Sequence, residues 1–164
     1  MSRYIYLRPL QVEDAHTSYK WRNDPQIWTY TAFVPTNKIT KEIETKWLDE
    51  VLRRQYEKRY AVCIKATDEY IGNVQIINIE NNSGEFALFI GEKKYWGKGI
   101  GYEATRQMLA LAFTELNLSS VYLYVHPDNN IAIRCYHRAG FEVVSQSEFI
   151  KMEATGSTLS QTLP

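Results

Sequence analysis

Hydrophobic and polar positions alternate in short runs along much of the chain, and longer stretches with helical spacing lie between them. The alternating runs predict strands at residues 4–7, 60–66, 71–79, 85–91, 120–126, 141–146 and 149–153. Apolar residues at helical spacing predict helices at residues 12–21, 40–58, 102–116 and 130–139. Residues 27–34 are aromatic and irregular, which is typical of a loop or a short helix.

Local signals support several of these elements. Thr40 is a residue type that caps helices, and Gly140 is suited to end the last one. The run at residues 81–84, Asn-Asn-Ser-Gly, is a strong turn signal between two strands. Because strands and helices are mixed along one chain, the pattern predicts a single α/β (α+β) unit.

Length and charge limit the number of domains and the kinds of binding partner. The 164 residues suit one domain, which we place at residues 1–154, and the small polar residues 155–164 predict a flexible tail. Lys plus Arg equals Asp plus Glu at 19 each, so no net charge draws the protein to nucleic acid or an anionic membrane.

The cysteines and the apolar runs indicate in which cellular compartment the protein is expected. Cys63 and Cys135 are too few and too far apart for a metal site or a disulfide framework. The first residues lack the apolar core of a signal peptide, and no apolar run reaches membrane-spanning length. We therefore expect a cytoplasmic protein without a metal, with both thiols reduced.

A glycine-rich segment between a predicted strand and a predicted helix is the main candidate for chemistry. Gly97, Gly99 and Gly101 let the backbone approach a ligand closely, and the first N–H groups of the helix lack intrahelical acceptors. These donors and the helix dipole favour a pyrophosphate, with Lys94 and Lys98 adding positive charge.

Two common phosphate-binding motifs do not fit this segment. Tyr102 stands where a dinucleotide fingerprint needs its third glycine, and Ile100 and Gly101 replace the Lys and Ser/Thr of a P-loop. A turn whose glycines serve only chain geometry stays an alternative, as does a generic nucleotide-binding protein.

Two segments carry a family resemblance. Lys94-Tyr95-Trp96-Gly97-Lys98-Gly99 resembles motif A of the GCN5-related N-acetyltransferases (GNAT), Gln/Arg-x-x-Gly-x-Gly/Ala, with Lys94 in place of Gln or Arg. Residues 129–141 resemble the family's N-x-x-A-x-x-x-Y-x-x-x-G-F segment. Residues 7–10 and 21–24 look like the branch with ribosomal-protein and spermidine acetyltransferases.

The resemblance implies a fold and a reaction. The fold would have a central mixed, mostly antiparallel sheet of six to seven strands flanked by about four helices. The reaction would be direct transfer of an acetyl group from acetyl-CoA to a primary amine. The coenzyme A site implied in this way comprises Leu88, Phe89, Ile90, Lys94, Trp96, Gly97, Lys98, Gly99, Ile100, Gly101, Tyr102 and Asn129. In it, backbone N–H groups around Leu88 to Ile90 would meet the carbonyl, and Asn129 would touch the pantetheine arm.

The catalytic residues follow from what acetyl transfer needs. The resemblance places Tyr136 near the coenzyme sulfur, where its phenol could donate a proton; the alternative is core packing beside Ile133. Glu85 is the candidate base, because burial could raise its pKa. His126 and a relay through ordered water are alternatives to Glu85. Cys135 has no evident activating base, and we interpret it as a buried structural thiol.

The acceptor pocket is expected to be built by the first helix, the segment after it and the final strands. Arg22, Asn23, Trp28 and Tyr30 are the candidate binding residues, and their character suits an amino sugar, a polyamine or an amino acid. A protein N-terminus is an alternative acceptor. A coenzyme A-binding module without catalysis is an alternative function. By resemblance only, a homodimer is also possible.

Overall fold

The strands of the protein form one sheet. The computed structural model describes residues 4–31 and 36–157. The strands are β1 (Ile5–Pro9), β2 (Lys58–Ile64), β3 (Tyr70–Glu80), β4 (Ser83–Ile90), β5 (Ser120–Val125), β6 (Glu142–Gln146) and β7 (Ile150–Thr155). They lie in the order β1-β2-β3-β4-β5-β7-β6. Every neighbouring pair is antiparallel except β4 and β5, which run parallel.

In the part of the chain that the structure describes, four helices flank this sheet. They are α1 (Ala15–Arg22), α2 (Lys41–Val51), α3 (Ile100–Thr114) and α4 (Asn130–Arg138), and short 3-10 turns occupy Val12–Asp14 and Lys93–Tyr95. The predicted α/β class with a mixed, mostly antiparallel sheet and about four helices is therefore confirmed. No helix within residues 4–31 and 36–157 is both long enough and apolar enough to cross a membrane.

The helices cover the two faces of the sheet separately. On one face, Met108 and Ala112 of α3 pack on buried strand residues such as Val74 and Val121. On the other face, a smaller cluster joins α2 to β2, with Leu48 and Val51 against Ala61 and Cys63. The second cluster lies on the β1–β2 side, and Trp21 of α1 extends this cover to Phe89 of β4, with 5.9 Å between ring centroids.

The predicted turn after β3 is confirmed, but it is tighter than expected. Asn81 and Asn82 both have positive φ, 51° and 61°, as a two-residue hairpin turn requires. Glu80 then pairs with Ser83, so β4 begins two residues before the predicted start at residue 85.

The predicted second helix was too long. It ends at Val51 instead of residue 58, because the chain is then held by a buried carboxylate. Glu57, only 7% exposed, forms ion pairs with Arg54 at 3.0 Å and Arg59 at 2.8 Å. These contacts lead the chain into β2, which begins at Lys58.

The predicted tail also needs a correction at its start. Thr155 belongs to β7, paired with Ser120, and the N–H of Gly156 donates to the carbonyl of Ser119. The rest of the predicted tail from residue 158, and residues 32–34 of the irregular segment, lie outside the described residues.

Candidate functional site

A cleft opens where β4 and β5 part. Their parallel pairing covers only three residue pairs and ends at Glu85 and Tyr122, although β4 continues to Ile90 and β5 to Val125. The last five residues of β4 therefore have no strand paired along this edge in the part of the chain that the structure describes.

Backbone groups of β4 line this cleft. The N–H of Gly91 donates to the carbonyl of Ile71 on β3 at 2.7 Å. Because backbone groups of alternate residues face alternate neighbours, those of Phe89 face β3, and those of Leu88 and Ile90 face the cleft. Of the predicted carbonyl-binding N–H groups, Leu88 and Ile90 therefore have the suitable direction.

The glycine loop leads from β4 into α3. Gly97 and Gly99 have φ of 73° and 77°, and Gly99 is the N-cap of α3. A Cβ added at either glycine would meet no atom within 4 Å, so the space over the loop is open. No side chain caps α3, and the N–H groups of its first turn lack intrahelical acceptors. The loop therefore fits a pyrophosphate group, as predicted from its sequence.

The lysines of the loop differ in their surroundings. Lys94 Nζ lies 2.9 Å from Glu69 Oε1 on the turn between β2 and β3. Lys98 Nζ lies 5.9 Å from the centre of the Tyr95 ring, and the residue is exposed. Lys98 is thus the better placed of the two to add positive charge at the open side of the loop.

Two aromatic residues of the predicted coenzyme site make defined contacts. The Trp96 indole, 39% exposed, donates from Nε1 to the carbonyl of Ile90 at 2.8 Å and so folds the loop onto the cleft edge of β4. The Tyr102 ring lies 4.0 Å from the Arg138 guanidinium carbon and 5.7 Å from that of Arg106. Tyr102 therefore links α3 to the end of α4.

Asn129 begins α4. Its Oδ1 accepts the N–H of Ala132 at 3.3 Å, and its backbone carbonyl accepts that of Ile133. Its Nδ2 group has no partner within the described chain. The side chain can therefore cap the helix and still donate a hydrogen bond to a ligand.

Tyr136 lies on the α3 and α4 side of the sheet. Its ring packs edge-on against Phe86 and Phe141, with centroid distances of 5.7 and 5.9 Å. Burial raises the pKa of its hydroxyl, so the group keeps its proton at neutral pH. Among residues 4–31 and 36–157 the hydroxyl has no hydrogen-bond partner. The ring of Tyr136 therefore does pack in the core, and its hydroxyl remains able to act as a proton donor.

Glu85 lies on the opposite face of the sheet. Phe86 points towards Tyr136, and since neighbouring side chains of a strand alternate, Glu85 shares the other face with Phe89. It is half-buried at the point where β4 and β5 part, and Asn78 Nδ2 donates to its Oε1 at 3.3 Å.

His126 follows β5, and its ring is fixed by its own turn. The N–H of Asp128 donates to Nδ1 at 3.1 Å, which places the proton of the neutral ring on Nε2. In this tautomer the ring offers a donor and not a lone pair at Nε2. The geometry therefore favours Glu85 over His126 as a base.

Two of the four predicted acceptor residues are engaged within the protein. The Arg22 guanidinium contacts Glu44 Oε1 at 3.3 Å and lies over the Trp47 ring at 4.3 Å. Asn23 donates to the carbonyls of Tyr19 and Ile39 and accepts the Ile39 N–H. Both side chains therefore stabilise the corner between α1 and α2.

The other two predicted acceptor residues belong to an aromatic wall on the Glu85 face. Trp28 packs against Phe89 at 5.0 Å. Tyr30 packs against His126 at 5.5 Å, and His126 against Phe149 at 5.8 Å. We use the term aromatic wall for these five residues. Phe149, just before β7, was not named as a binding residue, although the final strands were expected to help build the pocket.

Among the described residues, the cysteines and the acidic side chains form no second reactive centre. Both thiols are free; Cys63 is buried and Cys135 is half-buried, so the expectation of a buried thiol holds only in part for Cys135. Burial raises the pKa of both thiols, which makes them less reactive. Within the described residues, no three His, Cys, Asp or Glu side chains are grouped as metal ligands.

Comparison with known proteins gives a consistent result. Residues 5–142 match the family model described as acetyltransferase (GNAT) domain. The chain is 27% identical over 141 residues to a Bacillus licheniformis protein described as uncharacterized N-acetyltransferase p20, covering 84% of this chain and 79% of that protein. It is 29% identical over 141 residues to spermidine N(1)-acetyltransferase of Escherichia coli K12, covering 85% and 73%. The structure of spermidine N-acetyltransferase from Vibrio cholerae, in complex with CoA and spermine, superposes with a TM-score of 0.87 at 23% identity, covering 95% and 98%.

Proposed function

Because this chain belongs to the GNAT acetyltransferase family and transfers an acetyl group from acetyl-CoA to an amine, we propose that its acceptor is a small cationic amine of the polyamine class. The observation that carries this proposal is the aromatic wall on the Glu85 face of the sheet. Alkylamines are protonated at neutral pH, and aromatic faces attract such cations. The names of the spermidine-acetylating relative and of the spermine-bound neighbour point to the same class.

The donor site is the cleft together with the glycine loop. Acetyl-CoA supplies the acetyl group, activated as a thioester. The N–H groups at the start of α3 and the Lys98 charge would hold the pyrophosphate. Asn129 Nδ2 would donate to the pantetheine arm, and the N–H groups of Leu88 and Ile90 would polarise the carbonyl.

Acid and base act from opposite faces of the sheet in this proposal. Tyr136 Oη, on the α4 side, would donate its proton to the departing sulfur. Glu85, on the side of the aromatic wall, would accept the proton of the amine, directly or through water. This division lets the amine reach the carbonyl from one side while the sulfur leaves towards the other.

An acceptor panel tests the proposal. Thiol release from acetyl-CoA is followed with spermidine, spermine, glucosamine, free amino acids and a short peptide with a free N-terminus. We expect kcat/KM to be highest for the polyamines. A preference for glucosamine or an amino acid would overturn the polyamine proposal, and a preference for the peptide would support the N-terminal acetyltransferase alternative. Coenzyme A binding without release for any amine would favour the non-catalytic alternative.

Gly99→Ala tests the donor loop. A left-handed φ of 77° costs an alanine about 1 kcal/mol, and relief of that strain would shift the first N–H groups of α3. We expect the Kd for coenzyme A, measured by calorimetry, to rise about fivefold. Gly156→Ala is the control, because its Cβ also meets no atom within 4 Å and it lies outside the loop. An unchanged Kd for Gly99→Ala would contradict this account of the loop.

Three further predictions accompany the proposal. The catalytic domain is expected to span residues 1–154, extended by Thr155 of β7. We propose a cytoplasmic location and, from the family resemblance, a homodimer. Light scattering of the purified protein would test the homodimer.

A further inference from the structure

A turn far from the glycine loop in sequence holds that loop in place. Glu69, between β2 and β3, receives a hydrogen bond from the Tyr95 hydroxyl at Oε2, at 2.8 Å. Its other oxygen, Oε1, lies 2.9 Å from Lys94 Nζ. Both carboxylate oxygens are thus committed to neighbouring residues of the segment that leads into Gly97.

The turn that carries Glu69 is itself firmly attached. The N–H of Ile64 donates to the Glu69 carbonyl at 2.9 Å, and the N–H of Glu69 donates to Thr67 Oγ1 at 3.3 Å. The neighbouring Asp68 accepts the Tyr6 hydroxyl at 2.8 Å, which joins the turn to β1. Glu69 therefore projects from a turn that is fixed from several sides.

These contacts also explain the departure from motif A at Lys94. The pKa of Glu69 is lowered by hydrogen bonds from Lys94 and Tyr95, so the carboxylate is charged at neutral pH and neutralises the lysine. Lys94 is then occupied at the sheet side of the loop, whereas the open space lies over Gly97 and Gly99.

We propose that Glu69 is a positioning residue, which fixes the glycine loop for the donor pyrophosphate by holding Lys94 and Tyr95. The inference rests on the proposed function, in which this loop binds the pyrophosphate. In this arrangement Lys94 acts as an anchor of the loop and makes no direct contact with phosphate. Neighbouring contacts support a held loop: Lys93 pairs with Asp24 at 2.6 Å, and Trp96 bonds Ile90.

Comparing acetyl-CoA with a shorter acetyl donor distinguishes a positioning role of Glu69 from a general loss of activity. Steady-state rates are measured for Glu69→Ala with acetyl-CoA and with S-acetylpantetheine, which lacks the pyrophosphate, using spermidine as acceptor. We expect kcat/KM for acetyl-CoA to fall about tenfold, through KM, while that for S-acetylpantetheine is unchanged. Glu69→Gln, which still accepts from Tyr95, should lose less. An equal fall with both donors, or no fall with either, would overturn the proposal.

A double mutant distinguishes the two possible roles of Lys94, as an anchor of the loop and as a phosphate ligand. If Lys94 acts only through Glu69, then Lys94→Met adds no further loss in Kd for coenzyme A once Glu69 is alanine. An additional loss in the double mutant would show that Lys94 touches the phosphate and would overturn its assigned role. The control is Asp49→Asn, which breaks a 3.1 Å surface ion pair with Arg53 on α2 and should leave the Kd unchanged.

Failure of this inference can be distinguished from failure of the proposed function. If the wild-type protein does not bind coenzyme A, the assignment of the donor site itself is wrong. If the wild type binds coenzyme A and turns over spermidine, but Glu69→Ala behaves identically with both donors, only the positioning role is wrong.

Discussion

Replacing Tyr136 with phenylalanine is expected to lower kcat about 100-fold, with little change in the Kd for coenzyme A. The substitution removes one oxygen and keeps the ring that packs against Phe86 and Phe141. Since the hydroxyl has no hydrogen-bond partner within the described residues, its loss leaves no buried group unpaired. The fold should therefore survive while proton donation to the sulfur is lost.

The pH profile gives this test its sharpest form. Burial raises the pKa of Tyr136 above its ordinary value of about 10, so the wild-type hydroxyl stays protonated well into the alkaline range. Wild-type kcat should consequently show no fall between about pH 7 and pH 10 from loss of this proton. Tyr56→Phe, at an exposed tyrosine outside the site, is the matched control. Equal kcat for wild type and Tyr136→Phe at every pH would remove Tyr136 as the acid.

Replacing Gly91 with alanine is expected to lower the free energy of unfolding by about 3 kcal/mol. An added Cβ would lie 2.0 Å from Cδ2 of Trp21, which is a severe steric clash. Trp21 cannot easily move, because it is 4% exposed, donates from Nε1 to Glu92, and packs against Tyr70 at 4.8 Å. The backbone between β4 and the glycine loop would have to shift instead.

Urea denaturation measures this effect. The midpoint should fall for Gly91→Ala while the slope of the transition is unchanged, as expected when only stability changes. Gly156→Ala, whose Cβ would enter open space, should stay within about 0.5 kcal/mol of wild type. Wild-type stability for Gly91→Ala would mean that Trp21 is not held as tightly as its contacts indicate.

Features that depend on near neighbours in the chain could be predicted from its pattern of residues. Thr40 caps α2 by accepting the N–H of Ile43, as its residue type predicts. Gly99 takes the left-handed backbone from which α3 starts, and the paired asparagines after Glu80 make a hairpin turn. Such features need only the conformational preferences of a few consecutive residues, so the pattern of the chain is enough to find them.

Contacts between side chains that are distant in the chain could not be predicted in this way. Glu57 ended α2 early because Arg54 and Arg59 pair with it in a nearly buried position. Arg22, predicted to bind the acceptor, also pairs with Glu44, which lies one helix later. Glu69 reaches Tyr95 over 26 positions of sequence. Contacts of this kind arise when helices and strands pack together. The energy of each ion pair depends on how deeply it is buried and on its geometry, and a local sequence pattern contains neither.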